Sequence, residues 1–224
     1  MQTIAERVNE LKKYLACGNP FGERVVLVAA TKMQTAEAVN AAIDAGVDAV
    51  AENKPQEFRD KQLSLKPCPR HFIGHLQTNK IKYLIGKIDL YHSCDRDELA
   101  AALAEQSGRR GIRSEVLVQV NIGREVSKGG YLPEEAKEAF LRLSECEGLK
   151  VRGLMAMLPE SEDTGLLASL ADEMRALFDW SKTQSADSRY LSMGMSGDYK
   201  LCVEHGSNMI RVGSTIFGAR EYGR

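Results

Sequence analysis

The chain has 224 residues, 43% of them hydrophobic, with 30 basic against 31 acidic side chains and a formal charge of −1. That length can bury the core of one α/β domain, and the balanced charge, with no long Lys/Arg block, argues against nucleic acid as a main partner. The opening MQTIAERVNELKKYL mixes charged and apolar residues at helical spacing, which argues against a signal peptide or membrane span and for a cytosolic protein.

Along the chain, a first amphipathic helix is predicted over 3–15. Short apolar, β-branched runs then alternate with helical stretches, the signal of repeated βα units. The predicted strands are 25–31 (VVLVAAT), 49–53 (AVAEN), 70–74 (RHFIG), 90–94 (LYHSC), 115–121 (EVLVQVN), 151–157 (VRGLMAM), 190–195 (YLSMGM) and 209–214 (MIRVGS). Helices lie between them, as in TAEAVNAAIDAG, with Thr35 capping and Gly46 closing, and DRDELAAALAEQSG, with Asp95 capping and Gly108 closing. TNKIKYLIGK reads as the solvated face of another helix, and the Met-rich LMAML and SMGMS as core filling.

Runs apolar on both faces suit a parallel sheet buried on both sides. Eight such units predict a single (β/α)8 TIM barrel with an extra N-terminal helix. An open doubly wound sheet is the alternative, because periodicity does not reveal closure. With no Gly/Ser- or Pro-rich linker inside the chain and only FGAREYGR after the last strand, one domain over 1–224 is expected.

Cys17, Cys68, Cys94, Cys146 and Cys202 are odd in number, scattered and without a C-x-x-C pair, so reduced and mostly buried thiols are expected. The histidines lack zinc-site spacing, although His71 and His75 are four apart, and no metal is expected.

In a barrel, chemistry gathers where the strands end. Lys32 ends the first strand, where an apolar surround would lower its pKa and ready the amine to attack a carbonyl, unless it merely snorkels to solvent. Met195, Ser196 and Gly197 follow the seventh strand ahead of a short helix, and Gly213 and Ser214 close the eighth. Small residues, hydroxyls and a helix N-terminus there suit a phosphate; ordinary tight turns would explain the glycines alone. Arg211 lies two residues before Gly213 on the same strand face, so it points toward whatever the phosphate carries or pairs with a barrel carboxylate.

The segments AATK, GVDAVAEN, HFIGHLQTNK, VNIGREVSKGGYLPEE, VRGLMAM, LSMGMSGD and RVGSTIFGAR, in this order, closely resemble the YggS/PROSC family of pyridoxal 5′-phosphate (PLP) homeostasis proteins. The resemblance implies the barrel of PLP fold type III, similar to the N-terminal domain of alanine racemase, without the C-terminal β-domain. It implies PLP held as a Schiff base on Lys32. Ser196 and Ser214, with the backbone of Met195 and Gly213, would cradle the phosphate. Arg211 would face the pyridine nitrogen, Asn53 the cofactor, and His75 the mouth, although Asn53 also reads as a turn cap and His75 as a structural hydrogen bond. An arginine cannot accept a proton, so the ring nitrogen would stay unprotonated and the ring would be a weaker electron sink.

This chain departs from the family after AEN, where Lys54 and Pro55 replace an aromatic and an aliphatic residue, and Gly129 adds a second glycine beside Gly130. Glu125 and Lys128 read as a charged rim pair. The function expected is intracellular buffering or delivery of PLP by a monomer, with PLP-requiring apo-enzymes as possible partners and little turnover, since no opposite-face base is evident. The alternatives are a racemase of small amino acids using Tyr199 or His75 as second base, a Schiff-base aldolase of sugar phosphates, and a scaffold barrel.

Overall fold

The computed structural model describes residues 2–218; the last residues of the expected 1–224 domain, 219–224, lie outside the described residues. The chain opens on α1 (Ile4–Leu15), set by a capping box in which Thr3 Oγ accepts from the Glu6 N–H and Glu6 accepts from the Thr3 N–H. Its buried stripe is Val8, Leu11 and Leu15.

Eight parallel strands follow: β1 (Val26–Ala30), β2 (Ala49–Glu52), β3 (Arg70–Phe72), β4 (Leu90–Cys94), β5 (Ser114–Val120), β6 (Leu149–Ala156), β7 (Tyr190–Ser192) and β8 (Met209–Val212). They form a closed barrel in sequence order. The seam is the β1–β8 pairing, in register from Val26 opposite Met209 to Ala29 opposite Val212. That pairing excludes the open sheet.

Helices α2 (Ala36–Asp44), α3 (Pro55–Lys61), α4 (Asp97–Gly108), α5 (Ala136–Ser144), α6 (Thr164–Gln184) and α7 (Tyr199–Glu204) cross between strands, and α8 (Ser214–Phe217) follows β8. Period-two alternation splits the core into two shells. Val28, Ala49, Ala51, Leu90, Leu117, Met155 and Met209 fill the lumen. Their strand neighbours, such as Phe72 and Val116, pack outward in a cluster shared with helix residues such as Phe140 and Phe178.

Several local expectations need correction. Strands β3, β7 and β8 stop two or three residues early, because the turns at their ends bend to build the mouth. TNKIKYLIGK forms a 3-10 helix over Thr78–Tyr83, whose three-residue repeat brings Ile81 and then Leu84 inward, so it is not merely a solvated face. Arg96, not Asp95, is the N-cap of α4, because the Asp95 carboxylate is drawn instead to His75 and Arg96. Thr35 does cap α2, and Pro55 occupies the first turn of α3. Cys94 and Cys202 are buried and free, Cys68 and Cys146 half-buried and Cys17 exposed. No helix among the described residues is long and apolar enough to cross a membrane.

Candidate functional site

The ends of β1, β2, β7 and β8 converge on a cavity of about 230 Å3 at the C-terminal mouth. Lys32, Asn53, Met195, Ser196, Arg211, Gly213 and Ser214 all line it, with Ala30, Ile73, Met157 and Gly197. Seven of the eight residues singled out from the sequence therefore share one wall. Met157 and Met195 belong to this lining, so the methionine-rich stretches are only partly core filling.

His75 stands apart. Its Nδ1 meets the Asp95 carboxylate at 2.8 Å while most of its side chain faces solvent. Tyr199, the other candidate second base, stacks edge-on against Tyr14 with ring centroids 5.7 Å apart and lines a neighbouring cavity. Neither lines the Lys32 cavity.

Where β7 and β8 end, the Ser196 hydroxyl oxygen accepts from the backbone N–H of Gly213 at 3.1 Å and of Thr215 at 3.3 Å. One hydroxyl thus satisfies two backbone donors at the start of α8, of which Gly213 lines this cavity and Thr215 the neighbouring one. The Met195 N–H, expected to help form the cradle, donates to Asp198 Oδ1 at 2.6 Å. Thr215 was not singled out from the sequence; its proximity depends on α8, too short to show periodicity. Ser196→Ala should cost the ligand-free protein about 1 kcal/mol, the usual loss for a hydroxyl cap. Urea unfolding of the ligand-free variant checks this, and an unchanged midpoint would show the cap to be idle.

Arg211 is buried in the lumen, and its partners are all neutral. It donates to the Ser192 carbonyl at 2.9 Å, Ser192 Oγ at 2.6 Å and the Ala156 carbonyl at 3.0 Å. Among the described residues no barrel carboxylate pairs with it, contrary to the expected alternative. Without such a partner, burial pulls the guanidinium down to about 10, where it remains a cation at neutral pH.

Beyond Arg211 a polar chain crosses the lumen. Ser192 Oγ lies 3.0 Å from His92 Nδ1, and His92 Nε2 lies 2.9 Å from His71 Nδ1. Arginine can only donate, so one consistent assignment passes the Ser192 proton to His92 and the His92 Nε2–H to His71. Burial depresses both imidazoles, His71 to about 4, with Asp89 opposing, and His92 well below its ordinary value, with His71 and Arg211 adding to the effect. The whole chain is neutral beside one cation. A signal for it was present: Leu90 and His92 share a strand face, so a lumen-facing Leu90 places His92 in the lumen too.

Asn53 supplies a second unusual group, for its buried Oδ1 has no hydrogen-bond partner. A buried amide left unpaired is costly unless a ligand answers it.

A sequence profile described as "Alanine racemase, N-terminal domain" matches residues 1–221. The chain belongs to that family. Among curated relatives it is 38% identical to the pyridoxal phosphate homeostasis protein of Aquifex aeolicus, with 88% of this chain and 87% of the relative covered. It is 37% identical to the protein of that name from Escherichia coli K12, with both chains covered in full. The solved structure of PipY from Synechococcus elongatus PCC7942 with PLP bound superposes with a TM-score of 0.83 at 31% identity, covering 96% of this chain and 100% of PipY. Alanine racemase from Clostridium difficile shares the fold alone, with a TM-score of 0.79 at 16% identity, covering 97% of this chain and 56% of the racemase.

Proposed function

We propose that this protein, as a single domain over 1–224, binds PLP reversibly on Lys32 and buffers it in the cytosol or hands it to PLP-requiring apo-enzymes, working as a monomer with little turnover. The observation that carries this reading is one cavity lined together by Lys32, by the hydroxyl-bearing Ser196 and Ser214, by Gly213 and by the buried cation of Arg211. When bound, PLP supplies an aldehyde that an amine can hold as a Schiff base.

The donor set fits that group. Lys32 offers the amine, Ser196 and Ser214 offer hydroxyls, and the Gly213 and Thr215 N–H groups offer donors to phosphate oxygens. Arg211 presents a cation held by neutral acceptors, which suits an unprotonated ring nitrogen; a carboxylate in its place would favour the protonated ring. Asn53 brings an unpaired amide oxygen. The relatives named for PLP homeostasis and the PLP-bound PipY support the same ligand. Catalysis by racemisation would need a base on each face of the bound group, and neither Tyr199 nor His75 lines the cavity beside Lys32.

The visible spectrum of wild type and Lys32→Ala, before and after borohydride reduction with mass mapping, tests the proposal. Wild type should show a visible band that reduction removes, with a phosphopyridoxyl group mapped to Lys32, and the variant should show neither. A colourless wild type that takes up no added PLP refutes the proposal.

A further inference from the structure

The turn that carries Lys32 is strained. Met33 has φ 61, a left-handed conformation that crowds any residue with a β-carbon. Such strain persists only where neighbours hold it, and strained residues gather where geometry matters for chemistry.

The neighbours here come from α3. The Met33 N–H donates to Glu57 Oε2 at 2.8 Å. One turn further along the helix, Lys61 Nζ donates to the Thr31 carbonyl at 2.9 Å and the Gln34 carbonyl at 3.1 Å. One ammonium thereby ties the backbone on both sides of Lys32 and Met33. Lys61 is in turn paired with the buried Glu52 at 2.6 Å, and Glu52 accepts from Thr31 Oγ1 at 2.6 Å. Neither Glu57 nor Lys61 lines the cavity, so neither has a role there as a ligand contact.

We propose that Glu57 and Lys61 are positioning residues for Lys32. They hold residues 31–34 in the backbone conformation that projects the Lys32 amine into the cavity, and so set how fast it joins an aldehyde. In that step the amine nitrogen forms a double bond to the aldehyde carbon, and the aldehyde oxygen leaves as water with the two amine protons. The inference rests on Lys32 being the attachment point for PLP.

If Glu57 acts by sustaining the left-handed Met33, glycine at 33 makes it dispensable, since glycine adopts that conformation without help. The test compares wild type, Glu57→Ala, Met33→Gly and the double variant. Two readouts serve: the rate at which the visible band grows after PLP is added, and amide hydrogen exchange of the 30–36 peptide in the ligand-free protein. Glu57→Ala should slow attachment by about fivefold or more, the effect of a left-handed residue losing its support, and should speed exchange. The double variant should return to within about twofold of Met33→Gly alone. A general loss of packing would not be repaired by adding a glycine.

Lys61→Gln should slow attachment as well, and Lys61→Arg should restore part of the rate. If Lys61→Gln does not fold, the Glu57 and Met33 set decides the matter. Attachment by Glu57→Ala at the wild-type rate, or a slow rate that glycine leaves uncorrected, overturns the inference while PLP binding stands. Wild type that takes up no PLP overturns the cofactor reading itself, and the inference with it.

Discussion

Gly74→Ala should destabilise the protein by about 3 kcal/mol or more, the upper range for forcing an atom into a filled site. It should also weaken PLP uptake. Gly74 follows β3 at the mouth, and a β-carbon there would stand 1.9 Å from the Asn53 carbonyl oxygen. The obstacle is backbone, so no side chain can swing aside. On its other side the Gly74 carbonyl accepts from the buried Ser93 hydroxyl, which resists a shift in that direction. The ends of β2 and β3 must therefore part, carrying Asn53 away from the cavity wall. For a domain of this size the melting temperature should fall by roughly 10 °C. Gly108→Ala is the control: it ends α4 with open space around the added carbon, and should be neutral or slightly stabilising. A Gly74→Ala protein that melts with wild type and binds PLP normally would show the strand ends to be far more pliant than their packing implies.

Acid should weaken the fold in a window set by the lumen histidines. His71 titrates near 6.5 when unfolded and at about 4 when folded. Between those values the unfolded chain takes up a proton that the native barrel refuses, so stability is full above about pH 6.5 and is lost as pH falls toward 4. The full loss is about 3 kcal/mol from His71 alone. His92, also depressed by burial, adds in the same direction. Burial sets the sign; among the groups facing this pair, Asp89 favours the His71 cation, while Arg211 and His71 oppose a charge on His92. The buried Glu52, whose pKa burial raises, acts oppositely and gains as pH falls. Lowered carboxylates such as Glu23 and Asp179 lose their stabilisation only below the ordinary carboxylate range. Urea unfolding at several pH values between 7 and 4.5 measures the slope, and His71→Asn should flatten part of it. A stability independent of pH in that window, or a slope untouched by His71→Asn, would mean that the lumen hydrates and charges more easily than its packing suggests.

The architecture was legible because it is written in periodicity. Eight short apolar, β-branched runs alternating with helical stretches constrain the fold strongly, and only the β1–β8 seam was beyond local reading, since Val26 and Met209 are far apart in sequence. Lys32, Ser196, Arg211, Gly213 and Ser214 could be found because strand ends concentrate chemistry. The residues that support them were harder. Glu57 and Lys61 look in sequence like ordinary charges on a surface helix, and their contacts with 31–34 depend on where α3 docks. His75 was expected at the mouth and lies near it, but its ring is turned to Asp95, a preference that spacing does not disclose. The Asp95 cap failed for the same reason.

The Ser196 hydroxyl, by occupying the Gly213 and Thr215 donors, makes the protein its own weak competitor. A phosphate docking there, as proposed, would gain only the difference between an anionic acceptor and the neutral one it displaces, since both N–H groups are satisfied beforehand. On departure those donors are recaptured at once, and no exposed vacancy has to be hydrated. Such a self-closing cradle moderates affinity and lowers the cost of letting go. That is the thermodynamic profile expected of a store whose contents must remain exchangeable, and it contrasts with an enzyme that benefits from keeping its cofactor through many turnovers.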